Sequence, residues 1–130
     1  MLNINGFGWR IFAVSSTHPI LIMPNGKKSV GVCDKETFKI YIDENLEGNY
    51  LKKVICHEIV HAAMFSYGVS LTIEEEEVIA DLIATYGEEI MDITNSIFER
   101  YKKIEEIFIY KSPLFLFFSS CSILKAFAFS

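Results

Sequence analysis

The sequence predicts an α+β domain, a small and mostly antiparallel three-stranded sheet followed by two long antiparallel helices. Three observations predict it. Residues 9–43 are rich in β-branched and aromatic side chains with stretches of alternation. From Tyr50 onward the apolar period changes from about two to about 3.6. The chain has 130 residues, of which 51% are hydrophobic, which is enough for one core and fits one domain.

The first strand is read at Trp9–Ser15, where Ile11, Phe12 and Val14 lie within an alternating run. Pro24-Asn25-Gly26 is a turn signal. Ser29–Cys33 and Thr37–Asp43 are two further strands, joined as a hairpin through Asp34-Lys35-Glu36. The first helix is expected over Tyr50–Tyr67, with Leu51, Val54, Ile55, Ile59, Met64 and Phe65 at helical spacing. Asn49 is the expected cap and Gly68 the expected left-handed stop. Thr72-Ile73-Glu74-Glu75 is a capping box that opens a second helix, running to about Lys103 with Gly87 as a weak point. Glu74 and Glu75 are read as first-turn carboxylates favoured by the helix dipole.

The domain is expected to occupy residues 1–106. Residues 107–130 form a distinct Phe-rich tail with six of the eleven phenylalanines and no acidic residue. Its uncharged stretch, Ser112–Leu124, falls short of the roughly 20 apolar residues of a spanning helix. Packing on the domain, or an extension of it, is favoured over membrane contact.

Net charge of −5 and a pI near 5.2 disfavour a phosphate backbone as partner, and no basic cluster with interleaved aromatics opposes that judgement. Cys33, Cys56 and Cys121 match neither a disulfide framework nor a metal spacing, so they are read as free thiols in a reducing cytosol. The amino terminus carries no basic and apolar run of a secretory signal, and a cytoplasmic protein is expected.

Chemistry concentrates at His57-Glu58-Ile59-Val60-His61. Histidines four apart on a helix put both imidazoles on one face, within reach of one cation. Neutral imidazole is a good zinc ligand, and Glu58 beside it can act as base toward a zinc-activated water. A catalytic zinc needs a third protein ligand and an open position. His61 lies seven residues, or about 10 Å, before Gly68. Counting back along a returning helix puts Glu77 to Asp81 opposite the two histidines, and Glu77 and Asp81 share a face. Small Ala80 and Ala84 near that face permit close approach of the helices. His18 stands in a loop-like Ser-Thr-His-Pro stretch and is read as a loop histidine rather than a ligand.

His57-Glu58-x-x-His61 followed by Glu77-Val78-Ile79-Ala80-Asp81 resembles the gluzincin metallopeptidases. More narrowly, Gly31-Val32-Cys33-Asp34 ahead of Lys53-Val54-x-x-His57-Glu58 is similar to compact phage and prophage metallopeptidase-like proteins and to ImmA/IrrE-like peptidases. The resemblance covers residues 9–100. It implies one zinc ion held by His57, His61 and Glu77, with Asp81 as the hydrogen-bonding partner of His57 and Glu58 as general base. The short interval between His61 and Glu77 leaves Asp81 open as the ligand instead, with Glu77 at the rim. The oxyanion donor is also open; Tyr67, Tyr86 and His18 are candidates, although the tyrosines read first as core residues. The implied activity is hydrolysis of a peptide or protein substrate lying along a sheet edge. The alternative is a non-catalytic phage-type binding module that keeps the scaffold.

Overall fold

The computed structural model describes residues 1–111, with side chains described through residue 107. Compact units divide at Gly87: the first is Met1–Gly87 and the second begins at Glu88. The sheet, the first helix and the candidate site all belong to the first unit. The Phe-rich segment from Ser112, and Cys121 within it, lie outside the described residues. Among the described residues no helix is long and apolar enough to cross a membrane.

The α+β class holds, but the sheet has four strands and is mixed, not three strands that are mostly antiparallel. Its strands are β1 (Leu2–Ile4), β2 (Phe7–Val14), β3 (Gly31–Asp34) and β4 (Lys39–Asp43), in spatial order β1-β2-β4-β3. The extra strand comes from Asn5-Gly6. Both residues take positive φ, 48° and 85°, the backbone that a two-residue hairpin turn requires and that Asn-Gly adopts readily. β1 therefore folds back on β2, with Leu2 opposite Trp9.

The parallel pair has a different cause. Between β2 and β3 the chain makes a short 3₁₀ turn at Pro19–Leu21 and a reversal through Pro24-Asn25-Gly26. That crossover keeps the chain at the end where β2 finishes and carries it past the place of one strand; β3 then runs back and delivers it to the end where β2 began. β4 then runs alongside β2 in parallel register, Arg10 opposite Lys39 through Val14 opposite Asp43. β3 pairs only with β4, antiparallel, and forms one edge. The β3–β4 turn is built on Asp34, whose carboxylate accepts from the Glu36 and Thr37 amides and from the Thr37 hydroxyl.

α1 spans Gly48–Ser66, starting two residues before the expected Tyr50. Asn49 is not its cap. Glu47 occupies the cap position and makes no side-chain capping bond. The other end follows expectation. Gly68, at φ 68°, donates to the Phe65 carbonyl and Val69 to the Met64 carbonyl, the two bonds of a Schellman stop. α2 spans Ile73–Lys111, eight residues beyond Lys103. Its capping box forms reciprocally: the Glu75 amide donates to Thr72 Oγ1 at 3.2 Å, and the Thr72 amide to Glu75 Oε2 at 3.0 Å.

α1 is buried on two sides. Val54 and Ala62 pack with Trp9, Ile40 and Ile42 of the sheet. Val60 and Met64 pack with Ala80 of α2. Trp9 is fully buried, and its indole N–H donates to Ser66 Oγ at 2.9 Å. The Asn5 amide donates to the Ser66 carbonyl at 2.9 Å, so the first hairpin grips the last turn of α1. Replacing Gly68 with Ala forces a Cβ into the left-handed region. Urea denaturation should show a loss of about 1 kcal/mol, and an unchanged midpoint would contradict the role given to this stop.

Candidate metal centre

His57 and His61 sit on α1 between its sheet-facing and α2-facing sides, so both rings enter the groove where the helix leaves the sheet for its neighbour. His57 faces Asp81 and His61 faces Glu76, so the two helices run in opposite directions along this seam. Ala80, fully buried, lets the backbones approach closely.

Each imidazole has one nitrogen committed to a carboxylate. His57 Nδ1 donates to Asp81 Oδ1 at 3.0 Å, and His61 Nδ1 donates to Glu76 Oε1 at 2.8 Å. An ionised carboxylate only accepts, so both Nδ1 atoms carry the proton, and in the neutral ring each Nε2 then offers a lone pair. Those two nitrogens are 3.0 Å apart. The Glu77 carboxylate joins them, 3.2 Å from His57 Nε2 and 3.0 Å from His61 Nε2. Three acceptors thus converge, an arrangement whose chemistry calls for a cation. Zinc bound at about 2.0–2.1 Å by three tetrahedral ligands sets them roughly 3.3 Å apart; here one ligand atom from each residue lies within 4.8 Å of the others, and each Glu77 oxygen approaches a different histidine. His57, His61 and Glu77 together therefore fit one ion. Asp81 approaches the outer nitrogen of His57.

Glu58, only 7% exposed, lies against β3 and lines the same cavity of about 390 Å³ as the two histidines and Glu77. Burial pushes its carboxyl up to about 7; the neighbouring His57 opposes the shift, and the Glu77 charge adds to it. Gly31 makes room for it. A Cβ there would lie 2.8 Å from Glu58 Oε1 and 3.0 Å from Val54 Cγ1, so any larger residue displaces the carboxylate or the strand.

Glu76 is the residue the sequence reasoning passed over. It lies inside the Glu74–Glu77 run, one residue from the expected ligand, and is 9% exposed. A signal existed: placing a carboxylate beside each histidine demands two such residues on α2 in addition to the ligand. Burial raises the Glu76 carboxyl, but hydrogen bonds from Lys35 and His61 outweigh it and hold it below the usual range.

The remaining candidates lie elsewhere. His18 Nδ1 accepts from the Ile20 amide at 3.1 Å and caps the 3₁₀ turn. Tyr67 caps the end of α1 and is largely exposed, as is Tyr86 on α2; neither lines the cavity. Cys56 packs at the α1–α2 seam. Burial, with the Glu58 charge adding to it, pushes the Cys33 thiol up to about 12, which suits an inert side chain. Comparison with family models, curated proteins and solved structures finds no match.

The buried Glu58 makes stability depend on pH in the metal-free protein. Below about pH 4.5 it is protonated whether the chain is folded or unfolded. As pH rises, the unfolded chain releases the proton first, and the folded chain holds it to about 7. Stability therefore falls between those values and levels off above, by about 3 kcal/mol at roughly 1.4 kcal/mol per unit. Denaturation of the metal-free protein should show Glu58→Gln gaining stability over the unsubstituted chain from pH 4.5 to 8; parallel pH profiles would refute the burial effect.

Proposed function

We propose that this protein is a zinc-dependent metallopeptidase of gluzincin type, with His57, His61 and Glu77 as ligands and Glu58 as general base. One observation carries the reading: two imidazole lone pairs and a carboxylate converge within 3.0–3.2 Å, while both outer ring nitrogens are held by carboxylates. A closed structural site uses four ligands; three with an acid beside them match a catalytic one.

Bound zinc supplies Lewis acidity, polarising a carbonyl and bringing the pKa of a coordinated water toward about 7. The chain's own residues do the rest. Asp81 and Glu76 keep His57 and His61 in the tautomer that offers Nε2. Glu58, with a carboxyl near 7, is poised to take the proton of the attacking water and return it to the departing amine. Its place in the same cavity as the ligands favours catalysis over a binding module that retains only the scaffold.

The edge strand suits a peptide substrate. The Asp43 amide donates to the Val30 carbonyl, and by the alternation of an antiparallel pair this turns the polar groups of Gly31 and Cys33 toward the free edge. Ser29 Oγ already engages both Gly31 groups. The Cys33 amide and carbonyl are left for an extended chain to pair with, beside Glu58 and the metal ligands.

The expected outcome is one zinc per chain by metal analysis, lost on His57→Ala, His61→Ala or Glu77→Ala. Asp81→Asn should retain zinc with about 10–100-fold weaker affinity. Glu58→Gln should keep the zinc and lower peptide cleavage by at least about 100-fold. A zinc-loaded protein with no Glu58-dependent cleavage of a peptide library would leave the binding-module reading in its place.

A further inference from the structure

Lys35, in the turn between β3 and β4, belongs neither to the proposed ligands nor to the proton-transfer group. Its ammonium lies 2.8 Å from Glu76 Oε1, the same oxygen that accepts the His61 Nδ1 proton at 2.8 Å. Lys35 lines the cavity and is the only lysine or arginine that does so among the described residues. A continuous chain of charge-assisted bonds thus runs from the sheet, through a carboxylate on α2, to an imidazole on α1.

The two histidine–carboxylate pairs are not equivalent. The Asp81 side chain is 65% exposed, so water can satisfy its remaining lone pairs and hold it in place. The Glu76 side chain is 11% exposed, and a glutamate has more rotatable bonds than an aspartate. A carboxylate so enclosed needs its acceptor sites filled by protein groups. Lys35 fills that role, and by pulling on the same oxygen it fixes where His61 must point.

We infer that Lys35 is a positioning residue: acting through Glu76, it sets the tautomer and ring orientation of His61 and thereby the zinc affinity of the site. Its zinc consequence rests on the metallopeptidase reading; its effect on His61 does not. A salt bridge that merely tied the hairpin to α2 would change the melting temperature without moving either the histidine tautomer or the affinity of the folded protein for metal.

The test uses the full chain with Lys35→Met, Lys35→Arg, Glu76→Gln and the Lys35→Met/Glu76→Gln double variant. Zinc affinity is read by competition with a chromogenic chelator. The His61 tautomer is read by long-range ¹H–¹⁵N correlation on the metal-free protein at pH 8, and folding by circular dichroism. Glu76→Gln should weaken zinc binding about 10–100-fold and Lys35→Met about tenfold. The double variant should be no weaker than Glu76→Gln alone, because Lys35 acts through Glu76. Lys35→Arg, which can still donate to the carboxylate, should stay within about threefold of the unsubstituted protein. In the metal-free Lys35→Met protein, His61 should lose its uniform Nδ1–H form. If Lys35→Met folds with unchanged zinc affinity and tautomer, the inference is overturned and the zinc reading stands. Additive losses in the double variant would also overturn it, since Lys35 would then act by a route that does not pass through Glu76. If the unsubstituted protein takes no zinc, the metallopeptidase reading falls, and the tautomer measurement alone decides the role of Lys35.

Discussion

Everything at the candidate centre depends on how α2 meets α1. Asp81 and Glu76 each accept an Nδ1 proton from a histidine of α1. Once those bonds form, ring orientation, tautomer and lone-pair direction follow with no further freedom. The bonds require the helices to be close and in one register. The seam of Val60, Met64 and Ala80 provides that, and the fully buried Ala80 sets the spacing. A larger side chain there would part the helices and detach both carboxylates together.

The same geometry concentrates negative charge. Glu58, Glu76, Glu77 and Asp81 gather around two imidazoles, and the acids do not share one environment. Glu58 is desolvated and its carboxyl titrates near 7, whereas Glu76 is held ionised by its partners. The difference is that hydrogen bonds from Lys35 and His61 outweigh burial at Glu76, while at Glu58 the His57 charge only partly offsets burial and the Glu77 charge adds to it. Two carboxylates of one cavity thereby differ in charge: one takes up its proton near neutrality and the other stays ionised.

Much of this was readable in the chain because it is local. The His-Glu-x-x-His spacing, the Thr72–Glu75 box and the Gly68 stop each depend on residues within one or two helical turns. What escaped was non-local, or was local and overlooked. Asn5-Gly6 is a strong hairpin signal, and weighing it would have supplied β1. The parallel pairing of β2 with β4 depends on how residues 15–30 cross over, which no periodicity encodes. Glu76 was hidden by the arithmetic of helices: a one-residue error turns a side chain by 100°, and a count good to a few residues cannot separate Glu76 from Glu77. Lys35 comes from a loop with no sequence spacing to α2 at all.

Ser66 joins the two ends of this construction. Its hydroxyl accepts from Trp9 and its carbonyl from Asn5, so the last turn of the motif helix and the first hairpin of the chain share bonds across 57 and 61 residues of sequence. Opening either one breaks the bonds of the other. The two should exchange their amide hydrogens as one cooperative unit, and fraying at the amino-terminal strand would travel directly into the helix that carries the histidines. The helix that carries the centre is thus tied down also at Asn5 and Trp9, which do not line its cavity.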